Sequence, residues 1–103
     1  MRSRQHLPNR RASETFELEC GGLTCRATIS RYDDGCLAEI FLGNAKAGSQ
    51  SDTGAKDAAV VCSIALQYGV PLDVIRKALL RDSAGRPSSP LGVALDAIAE
   101  RQS

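Results

Sequence analysis

The stretch from residue 58 to residue 72 (A-A-V-V-C-S-I-A-L-Q-Y-G-V-P-L) constrains the fold most, because it is the most apolar run in the chain. Its apolar side chains recur at helical spacing, and Gly69 followed by Pro71 predicts where the helix stops. We therefore expect a helix from about residue 53 to residue 68. A helix that is apolar around most of its circumference is buried on more than one side, so other helices should cover its back. Its buried sides are expected to hold Ala55, Ala58, Ala59, Cys62, Ala65 and Leu66, with Val61, Ile64 and Tyr68 beside them.

Three strands are predicted ahead of this helix. Residues 14–20 and 23–32 alternate apolar and polar side chains, as half-buried strands do. Gly21-Gly22 predicts the turn between them, and Asp33-Asp34-Gly35 predicts a second turn. A third apolar stretch follows over residues 36–42. This order indicates a three-stranded antiparallel meander.

Two shorter helices are predicted after the long one. An amphipathic pattern runs over residues 72–81 and leaves Arg76, Lys77 and Arg81 on a solvated face. Ser89-Pro90 is a strong start signal for the last helix. The predicted fold class is therefore α+β, in the order β-β-β-α-α-α, with the long central helix packed on the sheet.

The formal net charge of +1 is unevenly distributed. Residues 1–11 hold four arginines and no acidic residue, so residues 1–12 are expected to form a basic, flexible N-terminal arm. Such an arm is either solvated or contacts an acidic partner or a phosphate backbone. A chain of 103 residues fits one domain, which we place at residues 13–103.

The loop over residues 43–51 (G-N-A-K-A-G-S-Q-S) carries the best local chemistry in the chain. Ser51 or Asp52 can cap the helix that follows. Loop glycines, a lysine and the amides of a helix N-terminus suit a phosphate or another anion, although the spacing is not that of a P-loop. The predicted anion-binding residues are Lys46, Gly48 and Ser49, helped by Arg10 and Arg11.

Glu39 stands alone inside the apolar third strand. We expect it to point to solvent or to pair across the sheet with Arg26 or Arg31. The alternative is a functional carboxylate on the surface of the sheet.

The cysteines and the single histidine do not form a recognisable catalytic or metal-binding set. Cys20, Cys25, Cys36 and Cys62 lack C-x-x-C spacing, and His6 lies in the arm. This predicts structural thiols and no metal site, and it indicates a binding or accessory module. The longest unbroken apolar run is far short of the ~20 residues of a membrane span. No secretory signal pattern is present, so we expect a cytoplasmic protein.

Four segments in chain order carry a resemblance to a known family. They are L-P-N-R-R (residues 7–11), D-G-C-L-A-E-I-F (34–41), K-A-G-S (46–49) and S-I-A-L-Q-Y-G-V-P-L (63–72). The series resembles the C-terminal part of adenosylcobalamin-dependent (class II) ribonucleotide reductases, the region called the TSCPD domain. The chain looks most like the stand-alone TSCPD proteins of this size.

The resemblance implies a role without implying catalysis by this chain alone. Reductases of this family use a cobalamin-derived thiyl radical and a redox-active cysteine pair, but their barrel and radical cysteine lie outside the matching segments. No catalytic residue is carried over, and we expect no cofactor to be bound by this chain alone. The resemblance implies a non-catalytic accessory module in deoxyribonucleotide synthesis, with a reductase subunit or a nucleotide as its partner.

Two other functions stay open. The β-β-β-α order with a glycine- and lysine-bearing loop is also found within double-stranded-RNA-binding domains, which is the alternative function. A structural homo-oligomer, supported by Cys25 and the sheet face, is a further one. The sequence does not decide between nucleotide, protein and nucleic acid as the partner.

Overall fold

A computed structural model describes residues 3–7, 12–20, 22–44 and 50–102 of the 103-residue chain. Within these residues three strands precede three helices, so the predicted α+β fold and its order are confirmed. The strands are β1 (Ser13–Cys20), β2 (Leu23–Arg31) and β3 (Leu37–Asn44), and the helices are α1 (Gln50–Gln67), α2 (Leu72–Ala78) and α3 (Pro90–Gln102).

The sheet is the predicted antiparallel meander, with strand order β1-β2-β3. Alternating apolar residues fall on one face, because Phe16 pairs with Ala27 and Ala27 pairs with Leu42. Gly35 in the turn before β3 has a φ of 89°, a backbone conformation that favours glycine. The helices pack on this apolar face, whose buried members on β2 and β3 are Ala27, Ile29, Ile40 and Leu42.

The start of α1 differs from the prediction. The helix begins at Gln50, so the predicted capping by Ser51 or Asp52 is wrong, because both residues lie inside the first turn. Asp52 is 2% exposed, and its Oδ2 lies 2.9 Å from the Nζ of Lys56 one turn later. A carboxylate in the first turn is stabilised there by the positive end of the helix dipole.

The end of α1 agrees with the glycine stop signal. Gly69 has a φ of 93° and follows the last helical residue closely, as a C-terminal glycine does. The amide of Gly69 donates to the carbonyl of Leu66 at 3.0 Å, and the amide of Val70 donates to the carbonyl of Ala65 at 3.0 Å. These two bonds satisfy carbonyls that the end of the helix leaves without helical partners.

Two polar side chains of α1 close the outer edge of β3. Ser63 Oγ accepts a hydrogen bond from the amide of Ile40 at 2.9 Å and donates to the carbonyl of the same residue at 3.0 Å. One turn later, Gln67 Nε2 donates to the carbonyl of Ala38 at 3.2 Å. An edge strand presents unpaired backbone groups, and these side chains bond the amide and carbonyl of Ile40 and the carbonyl of Ala38 without a fourth strand.

The back of α1 is exposed, which contradicts the prediction that other helices cover it. The side towards the sheet is buried through Ala55, Ala59, Cys62 and Leu66. The opposite side leaves Val60 and Val61 52% and 68% exposed, and Ile64 and Tyr68 are each 37% exposed. Helix α3 does not cover this exposed side because it packs against the buried side of α1. There it adds four residues to the same core, namely Leu91, Ala94, Leu95 and Ile98.

A carboxylate on α3 holds α2 and the segment after it. Asp96 Oδ1 accepts from Arg76 Nε at 3.1 Å, and both Asp96 oxygens accept from Arg81 at 2.8 Å. The prediction of a solvated cationic face is therefore wrong for Arg76 and Arg81, which are both ion-paired and about 70% buried as side chains. These two arginines hold the pKa of Asp96 at about 2.

None of the helices in the described part of the chain is long and apolar enough to cross a membrane.

Candidate functional site

The predicted anion-binding residues lie outside the described residues. Lys46, Gly48 and Ser49 fall between residues 44 and 50, and Arg10 and Arg11 fall between residues 7 and 12. The phosphate site therefore stays a prediction. Near the predicted phosphate site, the first turn of α1 holds the carboxylate of Asp52, whose Oδ2 lies 2.9 Å from the Nζ of Lys56. The negative charge of Asp52 opposes anion binding at this helix end, and Lys56 offsets it.

The described residues form a cleft where two segments distant in the sequence meet. One wall is the turn between β2 and β3, with Asp34, Cys36 and Leu37. The other wall is the junction between α1 and α2, with Leu66 and residues 69–72. The cleft has a volume of about 750 Å³. The two most specific segments of the family resemblance, residues 34–41 and 63–72, therefore share one surface depression.

An N-terminal segment crosses between these two walls. The amide of Gln5 donates to the carbonyl of Gln67 at 2.8 Å, and the hydroxyl of Tyr32 donates to the carbonyl of Gln5 at 3.0 Å. Arg4 Nε donates to the side-chain oxygen of Gln67. Both backbone groups of Gln5 are thus bonded, one by α1 and one by the residue after β2, and Gln5 also lines the cleft.

The thiol in the cleft is not activated as a nucleophile. Cys36 is exposed, and its amide donates to Asp34 Oδ1 at 2.9 Å. Hydrogen bonding to the Asp34 carboxylate raises the pKa of the Cys36 thiol, whereas a nucleophilic cysteine has a lowered one. Burial likewise raises the pKa of Tyr32, so its hydroxyl stays a neutral hydrogen-bond donor at physiological pH.

The charged groups that line the cleft are two arginines and one carboxylate. Arg31 donates to the carbonyl of Gly35 at 3.1 Å. Arg101 lies 4.3 Å from the centroid of the Phe16 ring and donates to Glu14 at 2.8 Å. Both cations are already engaged by the protein itself, and the lining as a whole is divided almost equally between polar and apolar surface. This arrangement suits a partner surface or a weakly anionic ligand better than a highly charged one.

Glu39 does not point to solvent. It is 7% exposed and pairs across the sheet with Ser30, which is 4% exposed, on the face opposite Ile29 and Ile40. Its expected exposure is therefore wrong, and the backbone register places it opposite Ser30. The expected pairing with Arg26 or Arg31 stays a prediction. The interpretation of Glu39 as a functional carboxylate stays a prediction.

Two of the other cysteines, Cys25 and Cys62, have the surroundings of structural residues. Cys25 and Cys62 are buried, and burial raises the pKa of Cys62 to about 11. Cys25 lies in the interior and gives no support to an oligomer formed through the sheet face. Among the described residues, no cluster of histidine, cysteine or acidic side chains is arranged to hold a metal ion.

The chain is similar to several curated vitamin B12-dependent ribonucleotide reductases. The chain is 40% identical over 73 residues to the vitamin B12-dependent ribonucleotide reductase of Bradyrhizobium diazoefficiens, and 36% identical over 72 residues to that of Agrobacterium fabrum. It is 39% identical over 71 residues to the reductase of Streptantibioticus cattleyicolor. These matches cover 71%, 70% and 68% of this chain.

This chain is similar to a small region of vitamin B12-dependent ribonucleotide reductases. The resemblance found in the sequence is thereby confirmed, while the narrower TSCPD assignment stays a prediction. The chain spans 6% of the first two relatives and 12% of the third. No protein-family model matches it, and no solved structure matches it.

Two sets of hydrogen bonds within the fold were not predicted from the sequence. Ser63 and Gln67 were part of an apolar helix, and nothing marked them as partners of an edge strand. The available signal was their spacing: two polar residues at i and i+4 on the buried side of a helix need hydrogen-bond partners. The anchoring of Gln5 by Tyr32 had no such signal, because it joins residues 27 positions apart.

Proposed function

We propose that this chain is a non-catalytic accessory module of cytoplasmic deoxyribonucleotide synthesis that binds a vitamin B12-dependent ribonucleotide reductase. The observation that carries the proposal is the extent of the similarity. About 70% of this chain matches these reductases, but the match covers 6 to 12% of their length. A region that this chain shares with a large enzyme is suited to act by association with the rest of such an enzyme.

The chemistry of the cleft supports a binding role. The thiol of Cys36 is protonated, Tyr32 is neutral, and Arg31 and Arg101 are engaged by neighbouring groups. The cleft combines apolar side chains such as Leu66 and Leu72 with hydrogen-bonded polar groups, a mixture that recognition sites use to orient a ligand.

Sedimentation velocity of the purified chain with the intact Bradyrhizobium diazoefficiens reductase tests the proposal. We expect a faster-sedimenting complex that contains both proteins, and an excess of unlabelled chain should displace a fluorescent copy from it. Two independently sedimenting species at tens of micromolar of each protein would contradict the proposal.

A nucleotide is the second candidate ligand, with Lys46, Gly48, Ser49, Arg10 and Arg11 as the proposed contacts. Calorimetric titration with nucleoside di- and triphosphates tests it. Lys46→Gln should remove the heat of binding, whereas Lys77→Gln, a charge-matched change on exposed α2, should not. Binding that Lys46→Gln leaves intact would place the phosphate elsewhere.

A gel shift that is strong at low salt and falls steeply with added salt would instead support the nucleic-acid alternative.

A further inference from the structure

The N-terminal segment, residues 3–7, is fastened across the cleft by hydrogen bonds. They join the amide of Gln5 to the carbonyl of Gln67, the hydroxyl of Tyr32 to the carbonyl of Gln5, and Arg4 Nε to the side-chain oxygen of Gln67. Residues 3–6 are exposed, and none of residues 3–7 belongs to the described hydrophobic core. Because single hydrogen bonds make a small net contribution, the segment can detach while the sheet and the helices stay folded.

The N-terminal segment lies over a wider concavity. Gln5, Tyr32 and Asp34 line the cleft and also line a second depression of about 510 Å³, to which His6 and Leu7 contribute. Gln5 therefore lies between the two depressions. Detachment of the segment would join them into one open surface.

The groups that bond the N-terminal segment are held in place by other contacts. Gln67 Nε2 donates to the carbonyl of Ala38 at 3.2 Å. Tyr32 is 8% exposed, and its amide donates to the carbonyl of Cys36 at 2.9 Å. A detached segment would thus leave behind one fixed donor, the Tyr32 hydroxyl, and two fixed acceptors, the backbone carbonyl and the side-chain oxygen of Gln67.

This set of one donor and two acceptors fits a polypeptide. A peptide backbone supplies an amide donor and a carbonyl acceptor at one residue, and a neighbouring side chain can supply the second donor, as Arg4 does beside Gln5. A phosphate group offers acceptor oxygens and negative charge, so it would face the two acceptors of Gln67 without a donor for either. The vacated cleft therefore favours a peptide over a nucleotide phosphate.

We propose that the N-terminal segment is a displaceable strap, and that a peptide segment of a vitamin B12-dependent ribonucleotide reductase takes its place in the cleft. This inference rests on the proposed function and adds the regulation of its binding site. Only molecules with a detached segment bind the reductase, so the apparent affinity is lowered in proportion to the detached fraction.

Two proline substitutions test whether these bonds hold the segment. Gln5→Pro removes the amide hydrogen that the carbonyl of Gln67 accepts, and it lies outside the core. Ser3→Pro is the matched control, because Ser3 is exposed and takes part in none of these bonds. Circular dichroism checks that both variants fold, and NMR chemical shifts of the Tyr32 and Gln67 amides report detachment. We expect the shifts to change in Gln5→Pro and not in Ser3→Pro. Unchanged shifts in Gln5→Pro would overturn the inference.

Affinity for the intact Bradyrhizobium diazoefficiens reductase is then measured by biolayer interferometry. We expect Gln5→Pro to bind at least threefold more tightly than the natural chain, and Ser3→Pro to bind within twofold of it. If the natural chain binds and Gln5→Pro binds equally or more weakly, the segment is not displaced, and the proposed function stands. If neither the natural chain nor Gln5→Pro binds the reductase, the proposed function fails together with this inference. If Gln5→Pro instead gains affinity for a nucleoside triphosphate alone, the occupant is a nucleotide and the inference is overturned.

Discussion

Ser63 shows how one polar residue can fix the packing of a whole helix. Its hydroxyl bonds both the amide and the carbonyl of Ile40, and Ile40 is fully buried. A buried backbone group without a partner costs more than the bond contributes when it is made. The hydroxyl therefore specifies which turn of α1 lies against β3, a role that apolar contacts alone would leave less defined.

Replacing Ser63 with alanine should lower the free energy of unfolding by about 1–3 kcal/mol, because the backbone groups of Ile40 lose their partner while staying buried. Thr53→Ala on the exposed side of the same helix is the control and should change stability by less than about 0.5 kcal/mol. Urea denaturation followed by circular dichroism measures both. Equal small losses in the two variants would show that water replaces the hydroxyl at the edge of β3.

At the residue scale, the sequence predicted which apolar residues are buried better than it predicted which polar residues make contacts. The alternation in the strands placed Ala27 and Ile29 in the core, and both are buried. Glu39 was expected to be exposed because it is charged, yet it is buried beside Ser30. Sequence periodicity reports which face a residue lies on, but it does not report whether that face is covered.

At the scale of elements, α2 depends on α3 more than on its own sequence. The helix has seven residues and no fully buried side chain, too few for a helix that is stable by itself. Its contacts are half-buried apolar residues and the bond from Arg76 to Asp96. Arg81 after the helix bonds both oxygens of the same carboxylate, so Asp96 holds two positions of this segment.

Asp96→Asn should therefore destabilise the chain at neutral pH by about 1 kcal/mol, since paired and partly exposed carboxylates contribute modestly. The arginines lower the pKa of Asp96 from 3.8 to about 2. The stabilisation is thus fully present above pH 4 and is lost as the pH falls through about 2. Acid unfolding of the natural chain and the variant should converge in this range. Curves that stay parallel down to pH 2 would contradict the assignment.

The helices show one success and two failures of prediction. The glycine stop at Gly69 is local, because it depends on one residue's backbone freedom, and it was predicted correctly. The ion pairs of Arg76 and Arg81 with Asp96 depend on where α3 docks, which is not encoded in the amphipathic pattern of α2. The exposed back of α1 was missed for the same reason: an apolar pattern predicts that a surface needs cover, and it does not say that the same chain supplies it.

At the scale of the whole molecule, the N-terminal segment joins the two walls of the cleft. Gln5 is bonded by Gln67 at the end of α1 and by Tyr32 at the end of β2. Local sequence patterns predicted the strands and helices around the cleft, but they could not predict that residues 3–7 pack against them. Long-range contacts of this kind follow from the docking of elements, which single-sequence patterns do not specify.

Tyr32→Phe should release this segment while leaving the sheet intact. The substitution removes the hydroxyl that donates to the carbonyl of Gln5 and keeps the aromatic ring, whose residue is 8% exposed. Limited trypsin digestion is a direct readout, because Arg4 precedes the anchored residue and is itself bonded to Gln67. We expect cleavage after Arg4 to become several-fold faster in the variant, since a protease needs a locally detached chain. Tyr68→Phe, a change of the other tyrosine, which follows α1 and is 37% exposed, is the matched control and should leave the cleavage rate unchanged. Mass spectrometry identifies the product, and equal cleavage rates in both variants would show that the backbone bond to Gln67 and the Arg4 contact hold the segment without Tyr32.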